Sequence, residues 1–136
     1  MQLIAIKSAP LVPAPNFSNE EVQAMQRAVI RLFDHWGITD AQAATLLGDI
    51  AARTYQRWKQ GEYGRGNVDL AARLSNLVGI HKALRLLYTE AERGYRWIKA
   101  PNRAFGDRSP LEVMLGGQLT DLMRVRRYLD SYRGAW

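Results

Sequence analysis

Residues 39 to 61, TDAQAATLLGDIAARTYQRWKQG, constrain the fold more than any other stretch of the chain. Thr39 followed three residues later by Gln42 is a capping box: the hydroxyl accepts from a free amide of the first turn while the glutamine reaches back to the cap. Gly48 then interrupts the helical pattern where the chain must take a positive φ, which glycine does without steric cost. A second helix is expected from about Ala51 to Gln60. Two helices joined this tightly cross at close range, and Ala44 is small enough to permit it. Leu47, Ile50, Tyr55 and Trp58 are the apolar residues that would lock the second helix to the first. The assignment works only if the turn is one residue longer than the commonest helix-turn-helix, with Asp49 as the addition. Otherwise Thr54 and Arg57 face the core, and burying an unpaired guanidinium costs several kcal/mol.

In that register Ala52, Arg53, Gln56, Arg57 and Lys59 face outward, on a helix that fits the DNA major groove. Arginine forks two hydrogen bonds to guanine and glutamine does the same to adenine, so Arg53, Gln56 and Arg57 are the candidate base readers. Lys59 and Arg65 are candidate phosphate clamps, which position the protein without reading sequence. The competing reading is a solvated helix face that happens to carry three cations. Charge distribution favours the first. The chain has a net charge of +6, and residues 1 to 50 hold three basic side chains against five acidic, whereas residues 51 to 100 hold ten against four. Positive charge thus begins where the second helix begins, as a polyanion-binding surface requires.

The rest of the chain reads as helix. Pro10, Pro13 and Pro15 disfavour helix near the N-terminus, and residues 1–17 are expected to form an extended or mobile arm, with packing across the body or a partner-binding strand as the alternatives. Ser18 with Glu21 is a second capping box, followed by Val22, Met25, Val29, Leu32, Phe33 and Trp36 at helical spacing up to Gly37. After a glycine-rich loop, a helix begins near Asn67 with Leu70, Leu74, Leu77 and Val78. Gly79 is expected to interrupt it, with a further helix resuming through Leu84, Leu87 and Tyr88. Another runs from about Glu90 to Lys99 and is stopped by Pro101. NRAFGDRS at 102–109 forms a loop. Ser109, Pro110 and Glu112 then start a short helix that ends at Gly116 and Gly117. The last helix spans about Gln118 to Tyr132, with Leu119, Leu122, Met123, Val125 and Leu129 inward. No strand alternation is evident, so the expected class is all-α.

A unit built on the helix-turn-helix is complete by about Gly79, which leaves residues 80–136 to explain. NRAFGDRSPLEVMLGG at 102–117, with Asn102, Gly106, Ser109, Pro110, Leu111 and Gly117 in order, followed by LMRVRRYLDSYRGAW at 122–136, resembles the toxin-binding domain of the Xre/MbcA/ParS-like antitoxins. TLLG…RTYQRWKQG resembles the Xre-like half of the same family, so the resemblance covers roughly residues 20 to 136. It implies a helix-turn-helix domain at 18–79 and a small helical toxin-binding domain at 80–136. It also implies an antitoxin with two jobs: covering the NAD-binding cleft of a RES-domain toxin, and repressing its own operon by binding operator DNA. A single recognition helix gives too little affinity and operators usually repeat in half-sites, so a homodimer within a larger toxin-antitoxin complex is expected. A cleft that holds a pyrophosphate is basic or rich in backbone donors, and aromatics and arginine are the usual interface anchors. The candidate toxin-facing residues are therefore Asn102, Arg103, Phe105 and Arg108 in the loop and Arg133 and Trp136 in the tail. Core packing is the competing reading for Phe105 and Trp97. Capping alone is the competing reading for Ser109 and Pro110, and a solvated helix face that for Arg124, Arg126 and Arg127.

Other functions find little support. There is no cysteine, so no disulfide or thiolate metal site, and a reducing cytoplasm fits. No apolar run reaches the roughly 20 residues that span a bilayer, and no secretory signal is expected. His35 and His81 have no second ligand at metal spacing, so neither metal nor cofactor is expected. No nucleophile stands beside a base, and an enzyme is not expected. Two alternatives stay open: a free-standing repressor whose C-terminal half dimerises or senses a ligand, and an interaction module whose helix-turn-helix no longer binds DNA.

Overall fold

The computed structural model describes residues 16–133, so residues 1–15 of the expected arm lie outside them. Among the described residues there are seven α-helices and no strand. They are α1 (Asn19–Trp36), α2 (Asp40–Leu46), α3 (Ala52–Lys59), α4 (Val68–Leu87), α5 (Ala91–Lys99), α6 (Pro110–Met114) and α7 (Leu119–Arg133). The three capping boxes set three of the helix starts. Glu21 N donates to Ser18 Oγ at 3.1 Å, Gln42 N to Thr39 Oγ1 at 3.1 Å, and Glu112 N to Ser109 Oγ at 3.1 Å, each glutamate or glutamine returning the bond to its cap. Each box satisfies amides that the helix itself leaves free.

One core runs through the whole described chain. Val29, Leu32, Phe33 and Trp36 of α1 meet Tyr55 and Trp58 of α3 and Leu74, Leu77 and Ile80 of α4, and the cluster continues into Ile98, Met114, Leu122, Val125 and Leu129. The phenyl ring of Phe33 lies 5.6 Å from Trp36 and 6.1 Å from Tyr55, in the tilted arrangement aromatic quadrupoles favour.

The expected break at Gly79 does not occur: α4 is continuous from Val68 to Leu87. A lone glycine costs a helix only about 1 kcal/mol relative to alanine, and here packing uses its missing side chain. A Cβ at Gly79 would meet the Arg126 guanidinium of α7 at 2.5 Å. Arg126 Nη1 passes over that gap to donate to Ser75 O at 3.3 Å. The glycine therefore marks where α7 lays a side chain across α4. The expected boundary between residues 79 and 80 falls inside this helix.

Arg73, on the inner face of α4, joins parts of the chain far apart in sequence. It is 7% exposed. Its Nε donates to Asp69 Oδ2 at 2.9 Å, and its Nη1 donates to Gly117 O at 2.8 Å and Leu46 O at 3.4 Å. Leu46 closes α2 just before the helix-turn-helix turn, and Gly117 precedes α7. A Cβ at Gly48 would sit 3.1 Å from both Arg73 Nε and Asp69 Oδ2, so glycine in the turn serves proximity as well as its φ of 96°. Replacing Arg73 with methionine keeps the stem and strands these carbonyls; a loss of about 2–4 kcal/mol is expected in urea unfolding. Arg73→Lys should recover less than half of it, because an ammonium cannot span the same fork.

Candidate nucleic-acid and partner interfaces

The helix-turn-helix register is as the sequence requires. Tyr55 and Trp58 are each 2% exposed, while Arg53, Gln56, Arg57 and Lys59 face solvent. The turn holds two residues at positive φ, Gly48 and Asp49 at 61°, and Ile50 N closes it by donating to Ala44 O at 3.3 Å. Asp49 is the inserted residue, and the left-handed region is one that aspartate tolerates. Ala51 caps α3 without a side-chain acceptor, so the first amides of that helix are left for an external one. Small residues at 51 and 52 leave that end open.

The outward polar side chains of α3 are not equivalent. Arg53 and Arg57, one helical turn apart, have no ion pair among the described residues. Lys59 Nζ lies 2.6 Å from Asp40 Oδ1 at the start of α2, and Gln56 Nε2 donates to Asp40 Oδ2 at 3.4 Å. Lys59 also sits 5.1 Å from the centre of the Tyr55 ring. The hydrogen bond from Lys59 holds the Asp40 carboxyl below its ordinary range. Burial, with the nearby Asp40 and Asp34 charges, pushes the Tyr55 hydroxyl up to about 12. Arg65 is exposed in the loop after α3. That loop is tied to α1 by the buried Gln26, whose Nε2 donates to Tyr63 O at 3.1 Å, and by Arg27 lying 5.9 Å from the Tyr63 ring centre. Gln26 was not among the residues singled out in the sequence. A polar residue at a core position of α1 was the available signal.

At the other end, residues 102–109 form a closed loop around a 3-10 turn, Arg103–Phe105. Asn102 N donates to Arg108 O and Asp107 N to Asn102 O, both at 3.0 Å, while Asn102 Oδ1 accepts from Ala104 N at 2.9 Å. Asn102 thus shapes the loop. Phe105, a candidate toxin-facing residue for which core packing was the competing reading, is 2% exposed and takes the core position, with its ring 5.1 Å from Tyr128 in an edge contact and the Arg124 guanidinium 5.3 Å from its centre. It plugs the loop onto α7, because a phenyl ring gains more from burial there than from solvent. Arg103 and Arg108 stay exposed, Arg108 Nε donating to Phe105 O at 3.3 Å. The side chain of Arg133 and all of Trp136 lie outside the described residues.

The sequence reading missed the aromatic groove beside this loop. Leu87, Tyr88, Trp97, Tyr128, Leu129 and Tyr132 line a cleft of about 280 Å³. Trp97 stacks on Tyr128 at 6.1 Å, and the Tyr128 and Tyr132 hydroxyls lie 3.0 Å apart. The spacing of Tyr128 and Tyr132, four apart on α7, was the legible clue. His35 stacks on Tyr95 at 4.7 Å, and burial lowers the pKa of half-buried His81. Among the described residues no three metal-ligating side chains converge, and no helix is long and apolar enough to cross a membrane. Removing the plug with Phe105→Ala should cost about 3 kcal/mol in chemical denaturation. Arg103→Ala, on the exposed rim of the same loop, should change stability by no more than about 0.5 kcal/mol.

Residues 22–79 match the model of the antitoxin Xre-like helix-turn-helix domain, and residues 83–134 match that of the antitoxin Xre/MbcA/ParS C-terminal toxin-binding domain. An uncharacterized protein of Sinorhizobium fredii, y4oB, is 38% identical over 121 residues, covering 89% of this chain and 93% of its own. A chain of the M. tuberculosis MbcT-MbcA toxin-antitoxin complex has a similar fold, with a TM-score of 0.55 at 19% identity, covering 81% of this chain and 91% of that one.

Proposed function

Because the chain belongs to the Xre/MbcA/ParS-like antitoxins, with an Xre-like helix-turn-helix domain and a toxin-binding domain, we propose that it neutralises a RES-domain, NAD-consuming toxin and represses its own operon. The family consists of non-enzymatic regulators, and the chain is not an enzyme. The observation that carries the reading is that exposed arginines in both matched regions are presented by one continuous core: Arg53 and Arg57 on α3, Arg103 and Arg108 on the closed loop. In this reading the domains are 18–79 and 80–136, and the protein acts in the cytoplasm.

At the DNA, Arg53 and Arg57 read base edges from the groove, with Gln56 beside them, and the open N-terminus of α3 favours an approaching phosphate. Arg65 supplies a phosphate contact from the following loop. An eight-residue recognition helix covers a single half-site, so the operator-bound form is a homodimer on paired half-sites. Toward the toxin, Arg103 and Arg108 are the loop residues able to meet an acidic or carbonyl-lined rim, and Asn102 and Phe105 hold the loop in shape for them. Arg133 and Trp136 are the tail's contribution, an arginine and an aromatic ring.

The test is co-expression with the product of the adjacent reading frame. A RES-domain protein that copurifies with the full chain, and whose toxicity returns when residues 102–136 are deleted, is the expected result; a neighbour that never copurifies would leave a free-standing repressor. At the DNA, Arg53→Ala should cost about 1–3 kcal/mol on the cognate site and relax base preference there. Arg65→Ala should weaken all duplexes alike in titrations across salt. Equal, sequence-independent losses from both would remove Arg53 from the base-reading role.

A further inference from the structure

We propose that Asp40 sets the selectivity of α3 by withholding Lys59 and Gln56 from duplexes that do not engage Arg53 and Arg57. The inference rests on the DNA-binding reading above and adds to it a residue on the neighbouring helix. Both carboxylate oxygens of Asp40 are occupied by α3: Oδ1 by Lys59 Nζ at 2.6 Å and Oδ2 by Gln56 Nε2 at 3.4 Å. Two of the four outward polar side chains are therefore already partnered before DNA arrives. Arg53 and Arg57 are the cations of α3 that no ion pair ties down among the described residues.

The consequence follows from how binding energy divides. Loose binding to any duplex is driven by phosphates neutralised and counterions released, so it scales with the number of free cations. Base reading depends on forked hydrogen bonds and survives the loss of one phosphate contact. A carboxylate fixed beside the recognition helix removes one cation and repels phosphate, which penalises the first mode more than the second. Selectivity then comes from disfavouring wrong partners as well as favouring the right one.

Asp40 is well placed for this. It is the first residue of α2, fixed by the Thr39–Gln42 capping box, and a carboxylate there is favoured by the helix dipole. Lys59 holds its carboxyl below the ordinary range, so it stays charged at neutral pH. The side chains remain 33% and 45% exposed, and an exposed pair adds little to stability. The carboxylate's main effect is thus on the field that DNA meets.

The full-length chain and its Asp40→Asn, Lys59→Ala and doubly substituted forms would be titrated across salt with a random-sequence duplex and with the DNA upstream of the chain's own reading frame. Asp40→Asn should raise affinity for the random duplex on the order of fivefold. It should also steepen its log–log salt dependence by about one unit, the value of one further phosphate contact. The upstream DNA should gain less, and the double substitution should cancel the gain. Unchanged or weaker random binding by Asp40→Asn, with the wild type still holding its upstream DNA, overturns the role of Asp40 alone. A wild type that binds neither duplex at any salt overturns the DNA-binding reading together with it. An NMR titration of the Asp40 carboxyl gives a readout without DNA: Lys59→Ala should move it up toward the ordinary range, and no movement would overturn the proposal.

Discussion

The guanidinium of Arg73 is the contact on which the arrangement of the two halves depends. It reaches the closing carbonyl of α2 and the carbonyl before α7, with Asp69 balancing its charge. Helix C-termini carry partial negative charge and carbonyls with no partner in the helix. The C-terminus of α2 and the segment following α6 come together beside one cation that can fork, and Gly48 has no side chain to keep it out. The position of the helix-turn-helix turn and that of the loop before α7 are thereby set by the same buried group.

From that anchor the recognition helix is oriented by aromatic packing. Tyr55 and Trp58 turn inward against Phe33 and the α1 core, which leaves Arg53 and Arg57 with nowhere to point but solvent. Gln56 and Lys59 turn toward α2, where Asp40 receives them. One helix therefore presents two kinds of polar side chain, open arginines and a tethered lysine and glutamine. The C-terminal loop is built by a comparable division: Asn102 and Phe105 hold it closed from inside, and Arg103 and Arg108 stay on its rim.

Features governed by local chemistry were legible in the sequence. Capping boxes at Ser18, Thr39 and Ser109, the long turn at Asp49 and the inward Tyr55 and Trp58 all follow from short-range spacing and the cost of burying charge. What was not legible depends on distant partners. Gly79 looked like a helix stop because its reason for being glycine, the Arg126 side chain, lies 47 residues further on. Arg73 was one cation among many in a basic segment until its carbonyl partners came into place. Phe105 could serve an interface or the core, and the approach of Tyr128 and Arg124 is what shows it buried.

The continuity of α4 bears on how proteins built like this can exchange specificity. Its N-terminal half backs the helix-turn-helix, its C-terminal half backs α5 and α7, and no hinge separates them. A chimaera spliced at residue 79 would pair half a helix face from one parent with half from another, and the Gly79–Arg126 fit would be drawn from two lineages. Recombination between relatives must carry Val68–Leu87 as a block with everything that packs on it. New partners are more readily acquired by changing rim arginines one at a time than by trading whole halves.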